Sequence, residues 1–264
     1  MNKKIAVVTG GNSGIGKETA IALKDMGCTV YELSRREIPT DGIKHIRADV
    51  TKENDIKNAA EEIIKAEGKV DIVINCAGFG ISGAVEFTTL ESAKSQFEVN
   101  FFGTVNVNRI FIPYLRQNRS GRIVNISSVA AVAHIPFQTF YSASKAAIDS
   151  YSAALANEVK PFGISVASIQ PGDICTGFTN AREKTNVGDD VYEGRISRSV
   201  TSMEKDEQKG MKPDVAGRYI AKIALKKNVK PLYAIGVTYK FLSVLCRVFP
   251  CRIRNYIVGM LYAK

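Results

Sequence analysis

Lys4-Ile5-Ala6-Val7-Val8-Thr9-Gly10-Gly11-Asn12-Ser13-Gly14-Ile15-Gly16 is the stretch on which the architecture turns. Residues 4–9 form a short apolar run that reads as a buried strand and ends in a glycine cluster. Residues 14–26 then show helical periodicity, with Ile15, Thr19, Ala22 and Leu23 on one face, and Gly27 stops the helix. A glycine-rich turn between a strand and a helix lets backbone approach a pyrophosphate, which the N–H groups of the helix start can bind. The spacing is G-x3-G-x-G, wider than the common G-x-G-x-x-G, and no G-K-[S/T] follows, which argues against a P-loop.

The same alternation continues outward. Strand patterns recur at residues 28–33, 43–48, 70–75, 122–127 and 164–169. Helical patterns fall between them at 52–67, 90–117 (with Pro113 as a candidate kink) and 141–160. Strands that alternate with helices predict right-handed βαβ units and a parallel sheet covered on both faces. Residues 173–212 are polar and carry no strand pattern, so a lid or a disordered loop is expected there. A helix over 213–225 and an edge strand over 231–235 follow. Beyond them, Val237, Phe241, Val244, Leu245 and Val248 recur at helical spacing, with Lys240, Ser243 and Arg247 opposite. Ile253, Tyr256, Ile257, Met260 and Leu261 repeat the pattern after Pro250. Two amphipathic helices with cationic faces are expected.

The chain has 264 residues and a net charge of +10. That charge is local: residues 215–264 contain ten Lys or Arg and no Asp or Glu, so the preceding residues sum to zero. Such a segment suits nucleic acid, an anionic membrane surface or acidic ligands, or simply a solvated face. Five cysteines, mostly far apart, do not form a disulfide framework, and His45 and His134 are too few for a zinc site, so no metal is expected. No apolar stretch reaches the roughly 20 residues of a spanning helix, and the first apolar run is too short for a signal peptide.

Tyr141 and Lys145 are four residues apart on an expected helix and so share a face. A phenol with a pKa of about 10 is a poor acid–base at neutral pH, and an ammonium about 4 Å away would bring it down toward neutrality. Such a group suits proton exchange with an alcohol or ketone oxygen. Ser127 and Ser128 close the preceding strand on the same sheet edge, where ligands of open α/β sheets bind. After the second strand, Ser34 stands where an acid would bind a ribose 2′-hydroxyl. Arg35 and Arg36 follow, favouring a 2′-phosphate and hence NADPH over NADH.

Together these residues resemble the short-chain dehydrogenase/reductases. The pieces that carry the resemblance are Thr9-Gly10-x3-Gly14-x-Gly16, Asp49 in A-D-V and Asn75-Cys76-Ala77-Gly78. Further along come Val99-Asn100, Ile126-Ser127-Ser128, Tyr141-x3-Lys145 and Pro171-Gly172-Asp173-Ile174-Cys175-Thr176. They occur in the family's order over about residues 3–235. The resemblance implies a single doubly wound Rossmann domain, α/β, with a parallel sheet of about seven strands in the order 3-2-1-4-5-6-7. It makes Tyr141 the general acid–base, with Lys145 lowering its pKa and holding the nicotinamide ribose. Ser128 would bond the substrate oxygen, and Asn100 would hold a water linking Lys145 to solvent. Gly10, Asn12, Ser13, Gly14, Ile15 and Gly16 would cradle the cofactor phosphates. Ser34, Arg35 and Arg36 would meet the 2′ position, and Asp49 and Val50 the adenine end. Asn75, Ala77 and Gly78 would line the adenosine side, and Pro171, Gly172, Ile174 and Thr176 the nicotinamide. Cys76 departs from the family's usual second Asn. Ser13 departs from the base that many NADPH-using members carry, leaving Arg35 as the main 2′-phosphate anchor.

No Y-x6-K pairing points to the enoyl reductase branch. Residues 135–145 and 160–164 look similar to the 17β-hydroxysteroid and retinol dehydrogenase-like branch, whose members often carry C-terminal extensions that cover the cleft or touch membranes. The expected activity is NADP(H)-dependent interconversion of a ketone or aldehyde and an alcohol on a bulky apolar substrate of steroid, retinoid or acyl-lipid type. A 3-oxoacyl-type reductase of fatty-acid metabolism and a nucleotide-binding sensor or scaffold are the alternatives. Phe79, His134, Phe137 and Phe178, with Ser128, are the candidate substrate residues. Residues 1–236 are expected to form the catalytic domain, with the lid at about 173–212 and a basic extension at 237–264. The expected setting is cytoplasmic, with peripheral membrane contact through the extension, no nucleic-acid partner, and a homodimer or homotetramer.

Overall fold

β1 (Ile5–Thr9) is buried at every position and passes through the glycine turn into α1 (Gly14–Asp25) in the computed structural model, which describes residues 3–262. β2 (Thr29–Ser34), β3 (Ile43–Arg47), α2 (Glu53–Glu67) and β4 (Ile72–Asn75) follow, then a short β5 (Ile81–Ser82). α3 (Leu90–Phe97) and α4 (Gly103–Gln117) are separated by a π turn at Glu98–Phe102. β6 (Gly121–Ile126), α5 (Ala130–Ala133), α6 (Thr139–Val159) and β7 (Ile164–Pro171) come next. α7 (Phe178–Ala181), β8 (Glu183–Lys184), α8 (Arg195–Gln208) and α9 (Pro213–Leu225) lead to β9 (Leu232–Ile235). α10 (Val237–Val248) and α11 (Cys251–Tyr262) complete the described chain.

Seven strands form one sheet in the order β3-β2-β1-β4-β6-β7-β9, every pair parallel. With β5 and β8, which pair only with each other, set aside, this is the expected 3-2-1-4-5-6-7 order. Helices cover both faces. Ile56 and Ile63 of α2, Val107 and Phe111 of α4 and Leu155 of α6 fill one side. Ala20 and Leu23 of α1 and Ile220 and Ala224 of α9 fill the other. Central strands buried on both faces need apolar residues at nearly every position, which is why V-V and I-V-I runs mark them.

A buried polar network fixes the helices that carry the site. Asn75 Nδ2 of β4 donates to Asn108 Oδ1 of α4 and Asn125 Oδ1 of β6, each at 2.8 Å, and Asn125 Nδ2 donates to Ser152 Oγ of α6 at 2.9 Å. Asn75 Oδ1 has no partner among the described residues, but the bonds across β4, β6, α4 and α6 tie the layers together.

Two local expectations differ. The helical region at 90–117 is broken at the π turn rather than at Pro113, which α4 contains. The polar segment 173–212 holds the 14-residue α8, whose Ile196, Val200 and Met203 pack with Ala84 and Phe137 in a separate small core. Three apolar residues spaced four and three apart suffice for that helix within an otherwise polar stretch.

Candidate active site

The glycine turn is shaped by contacts that side chains would prevent. Gly10 has φ 64°, and a Cβ on Gly16 would lie 2.2 Å from the Gly10 carbonyl oxygen. A Cβ on Gly14, at φ 53°, would instead meet Thr176 in ordinary van der Waals contact at 3.7 Å. The first main-chain bond of α1 runs from Lys17 N to Ser13 O, and Ser13 makes no side-chain cap. The N–H groups of Gly14, Ile15 and Gly16 therefore precede the helix ladder and are available to an anion. A glycine cradle with orphan donors fits a dinucleotide pyrophosphate.

Beside it, Asn12 Nδ2 donates to Arg36 O at 2.8 Å, and Ser34 Oγ donates to the same carbonyl at 3.0 Å. These bonds staple the loop after β2 to the glycine turn. Arg36 lines the main cavity, whereas Arg35 borders a separate open groove with Asp49, Thr51 and Val99. Asp49 Oδ1 accepts from the N–H and hydroxyl of Thr51. Burial pushes its carboxyl up, but the Thr51 bonds and the charges of Arg35 and Lys52 together hold it below its ordinary value. Val50 packs its side chain on Gly103, where a Cβ would approach within 2.6 Å.

The main cavity is about 530 Å³, within the range of small-molecule sites. Gly10, Ser13, Gly14, Ile15, Gly16, Ala77 and Gly78 line one end. Ser128, Tyr141, Lys145, Pro171, Gly172, Ile174, Thr176 and Phe178 line the middle. The Tyr141 hydroxyl hydrogen-bonds Ser128, whose Oγ also accepts from Ala130 N at 3.1 Å. Lys145 Nζ lies 5.8 Å from the Tyr141 ring centre and donates to Ile126 O at 2.9 Å. Asn100 sits in the π turn and is fully hydrogen-bonded: Nδ2 donates to Phe79 O and Oδ1 accepts from Phe79 N, both at 2.9 Å. Gly78 separates it from Lys145, leaving no room for a side chain, since a Cβ would lie 3.0 Å from Asn100 Oδ1 and 3.5 Å from Lys145 Nζ.

The electrostatics depart from the expected acidified phenol. Burial, partly offset by the Ser128 bond, pushes Tyr141 up to about 12. Burial also pushes Lys145 down to about 8. The ammonium lies over the ring and bonds a main-chain carbonyl, so in this state it does not outweigh the loss of water. A protonated phenol at neutral pH is the form that gives a proton, which suits a carbonyl being reduced.

Not all the expected substrate residues reach the cavity. Phe178 lines it and its ring lies 5.7 Å from that of Tyr141. Phe137 is buried instead in the small core beneath α8, stacked edge-on against Tyr192. His134, in a left-handed conformation, and Phe79 do not line the cavity either. His134 and Phe137 have left-handed main chain, at φ 30° and 58°, and spacing along the chain gives no sign of that change of direction. Conversely, the sequence assigns no site role to Glu207, Tyr239, Leu242, Cys246 and Val258, which also line the cavity. The last four belong to α10 and α11, so the extension covers the cleft. Tyr239 donates to Asp173, and Ser243 Oγ donates to Gln170 Oε1 at 2.9 Å. Among the described residues no cluster of side chains could hold a metal ion.

Comparison with known proteins agrees with this geometry. A family model described as short chain dehydrogenase matches residues 4–187. The chain is 41% identical to a 3-ketodihydrosphingosine reductase of Bacteroides thetaiotaomicron, covering 100% of this chain and 99% of that protein. It is 33% identical to a probable short-chain type dehydrogenase/reductase, VdlC, of Helicobacter pylori, covering 93% of each. A crystal structure of a short-chain dehydrogenase from Streptomyces avermitilis superimposes with a TM-score of 0.83 at 28% identity, over 98% of this chain and 96% of that one. Family members are oxidoreductases that act on small molecules with a nicotinamide dinucleotide, and this chain belongs to the short-chain dehydrogenase family.

Proposed function

We propose that this protein is an NADP(H)-dependent reductase of a ketone on a long-chain lipid. The observation that carries the reading is the single cavity shared by the glycine cradle, the Ser128–Tyr141–Lys145 group and the apolar side chains of α10 and α11. Among steroid, retinoid and acyl-lipid substrates, the acyl-lipid is favoured by the 41% identity to a relative named for a ketodihydrosphingosine. Leu242, Leu245, Phe249 and Val258 offer a long apolar wall to such a chain.

Gly10 and Gly14 to Gly16 would hold the dinucleotide phosphates, Arg35 and Arg36 the 2′-phosphate, and Lys145 the nicotinamide ribose. Bound there, the dinucleotide supplies the hydride. The protein supplies the rest. Tyr141 Oη gives its proton to the substrate oxygen, and Ser128 Oγ–H bonds that same oxygen as its negative charge develops. The Lys145 ammonium, close to the tyrosine, stabilises the phenolate left behind. Asn100, held by the Phe79 main chain, fixes the floor on which Lys145 rests. The reading treats residues 1–236 as the catalytic domain, 173–212 as the lid and 237–264 as the extension. It places the protein in the cytoplasm, where its five free cysteines stay reduced. It includes a homodimer or homotetramer through the faces of α4 and α6.

The test follows NADPH absorbance with 3-ketodihydrosphingosine, a ketosteroid, retinal and a 3-oxoacyl thioester. The expected result is turnover fastest with the first, and a loss of roughly 10²- to 10⁴-fold in Tyr141→Phe with dinucleotide binding retained. Near-normal activity of that variant, or consumption of NADPH with none of the lipids, would sink the proposal.

A further inference from the structure

The extension carries its apolar side chains on the wrong side for a helix packed on a water-soluble surface. On α10, Val237, Phe241, Val244 and Val248 fall on one stripe, one or two turns apart. That stripe points outward: Val237 is 85% exposed, Phe241 66% and Val248 72%. The opposite side faces the protein and includes Ser243, at 4%, and Cys246, at 5%. On α11, Ile253, Tyr256, Ile257 and Met260 form a second exposed stripe, while Val258 is buried against α5. Isolated exposed apolar residues are ordinary; two consecutive helices presenting continuous apolar stripes mark an interaction surface.

Three observations choose the occupant. First, Arg247 and Arg252 are exposed on these two helices, and no acid occurs anywhere from residue 215 onward. An apolar stripe flanked by cations matches the boundary between acyl chains and anionic headgroups, where each cation adds affinity. Second, the helices have 12 residues each, and no helix among the described residues is long and apolar enough to cross a bilayer, so they can lie only along its surface. Third, Phe249, Ile257 and Leu261 are exposed on this face and also line the catalytic cavity. The cavity wall and the apolar face are therefore continuous.

We infer that α10 and α11 seat the protein on an anionic lipid surface with the mouth of the catalytic cavity against it. Docking rests on the helices alone. The delivery of a long-chain ketone from the bilayer, without passage through water, rests in addition on the proposed function. The polar anchors of α10, Ser243 to Gln170 and Tyr239 to Asp173, hold the pair in place from the protein side, so the exposed stripes are free for lipid.

The experiment is sedimentation of the full chain with vesicles of phosphatidylcholine plus phosphatidylglycerol, against phosphatidylcholine alone. Binding to the anionic vesicles that weakens with added salt is expected. Phe241→Asp with Val248→Asp, and separately Arg247→Glu with Arg252→Glu, should each lower the bound-to-free ratio by on the order of tenfold or more. Both variants should keep the wild-type affinity for the dinucleotide, which shows that they are folded, and the wild-type native mass. Equal sedimentation of wild type and variants overturns the inference. So does a fall in native mass in the Phe241→Asp, Val248→Asp variant, which would assign the face to a second copy of the chain. Sedimentation needs no turnover, so an inactive but vesicle-bound protein refutes the proposed function alone. An active protein that ignores vesicles refutes the docking alone.

Discussion

At residues 14–25 the apolar stripe points at the sheet; at residues 237–261 the main apolar stripes point away from the protein. α1 buries Thr19, Ala20, Ala22 and Leu23 under α9 and the strands. α10 buries Ser243 and Cys246 and leaves Phe241 and Val248 outside. Both helices have clear helical periodicity in the sequence. The contrast teaches that periodicity establishes a helix and its stripe, while the layer against which the stripe packs decides its direction. For α1 that layer is the protein's own sheet. For α10 the cavity needs a wall with limited contact, and the apolar stripe is left for something beyond the chain.

The nucleotide end can be broken in two ways. Lys145 is buried with a pKa near 8, below the ordinary 10.5, because burial disfavours its charge. The unfolded chain therefore binds more protons between those values, and stability rises with pH through about 8 to 10.5; below that window the cost is complete. Lys145→Met should raise the unfolding free energy at pH 7 by up to about 3 kcal/mol, with the gain shrinking by pH 10, while activity is lost. Chemical denaturation at the two pH values checks it; a destabilised variant at pH 7 would refute it. Gly16→Ala places a methyl 2.2 Å from the Gly10 carbonyl and should cost about 1–3 kcal/mol, with weakened dinucleotide binding read by fluorescence titration.

Smaller changes sharpen the contrast. Arg35→Glu should shift the ratio of kcat/KM for NADPH over NADH downward by roughly tenfold or more, through loss of one charge-assisted contact and gain of a repulsive charge. An unchanged ratio would assign the 2′ position to Arg36, the arginine that lines the main cavity. Gly259→Ala, on α11, meets nothing within 4 Å and should stabilise by at most about 1 kcal/mol, visible as a small rise in Tm. The same exchange that harms α1 at Gly16 is then harmless at the other end of the chain.

Much of the nucleotide half was legible because its constraints are local. A strand buried on both faces must be apolar, a turn that approaches a helix this closely must be glycine, and Tyr141 and Lys145 share a face because they are four apart. The far side depends on contacts between distant segments. The π turn at Glu98–Phe102 seats Asn100 beside Phe79, and no periodicity announces the extra residue in that turn. Phe137 was expected to help wall an apolar substrate pocket, but it lies in the core formed by α8, a helix hidden in a polar segment. Tyr239 and Cys246 fall between the apolar positions that mark α10 in the sequence, and they line the cavity because the conspicuous stripe faces out.

The extension also carries a built-in gauge of its own position. Cys246 is shut against the cleft wall with its thiol pushed up by burial, whereas Cys251, five residues on, is exposed. Since only the ionised, reachable sulfur is alkylated, the two report on the covered and the open side of the extension. Slow modification of Cys246 beside prompt modification of Cys251 would time each occasion on which the extension lifts from the cleft, with no probe added to the molecule.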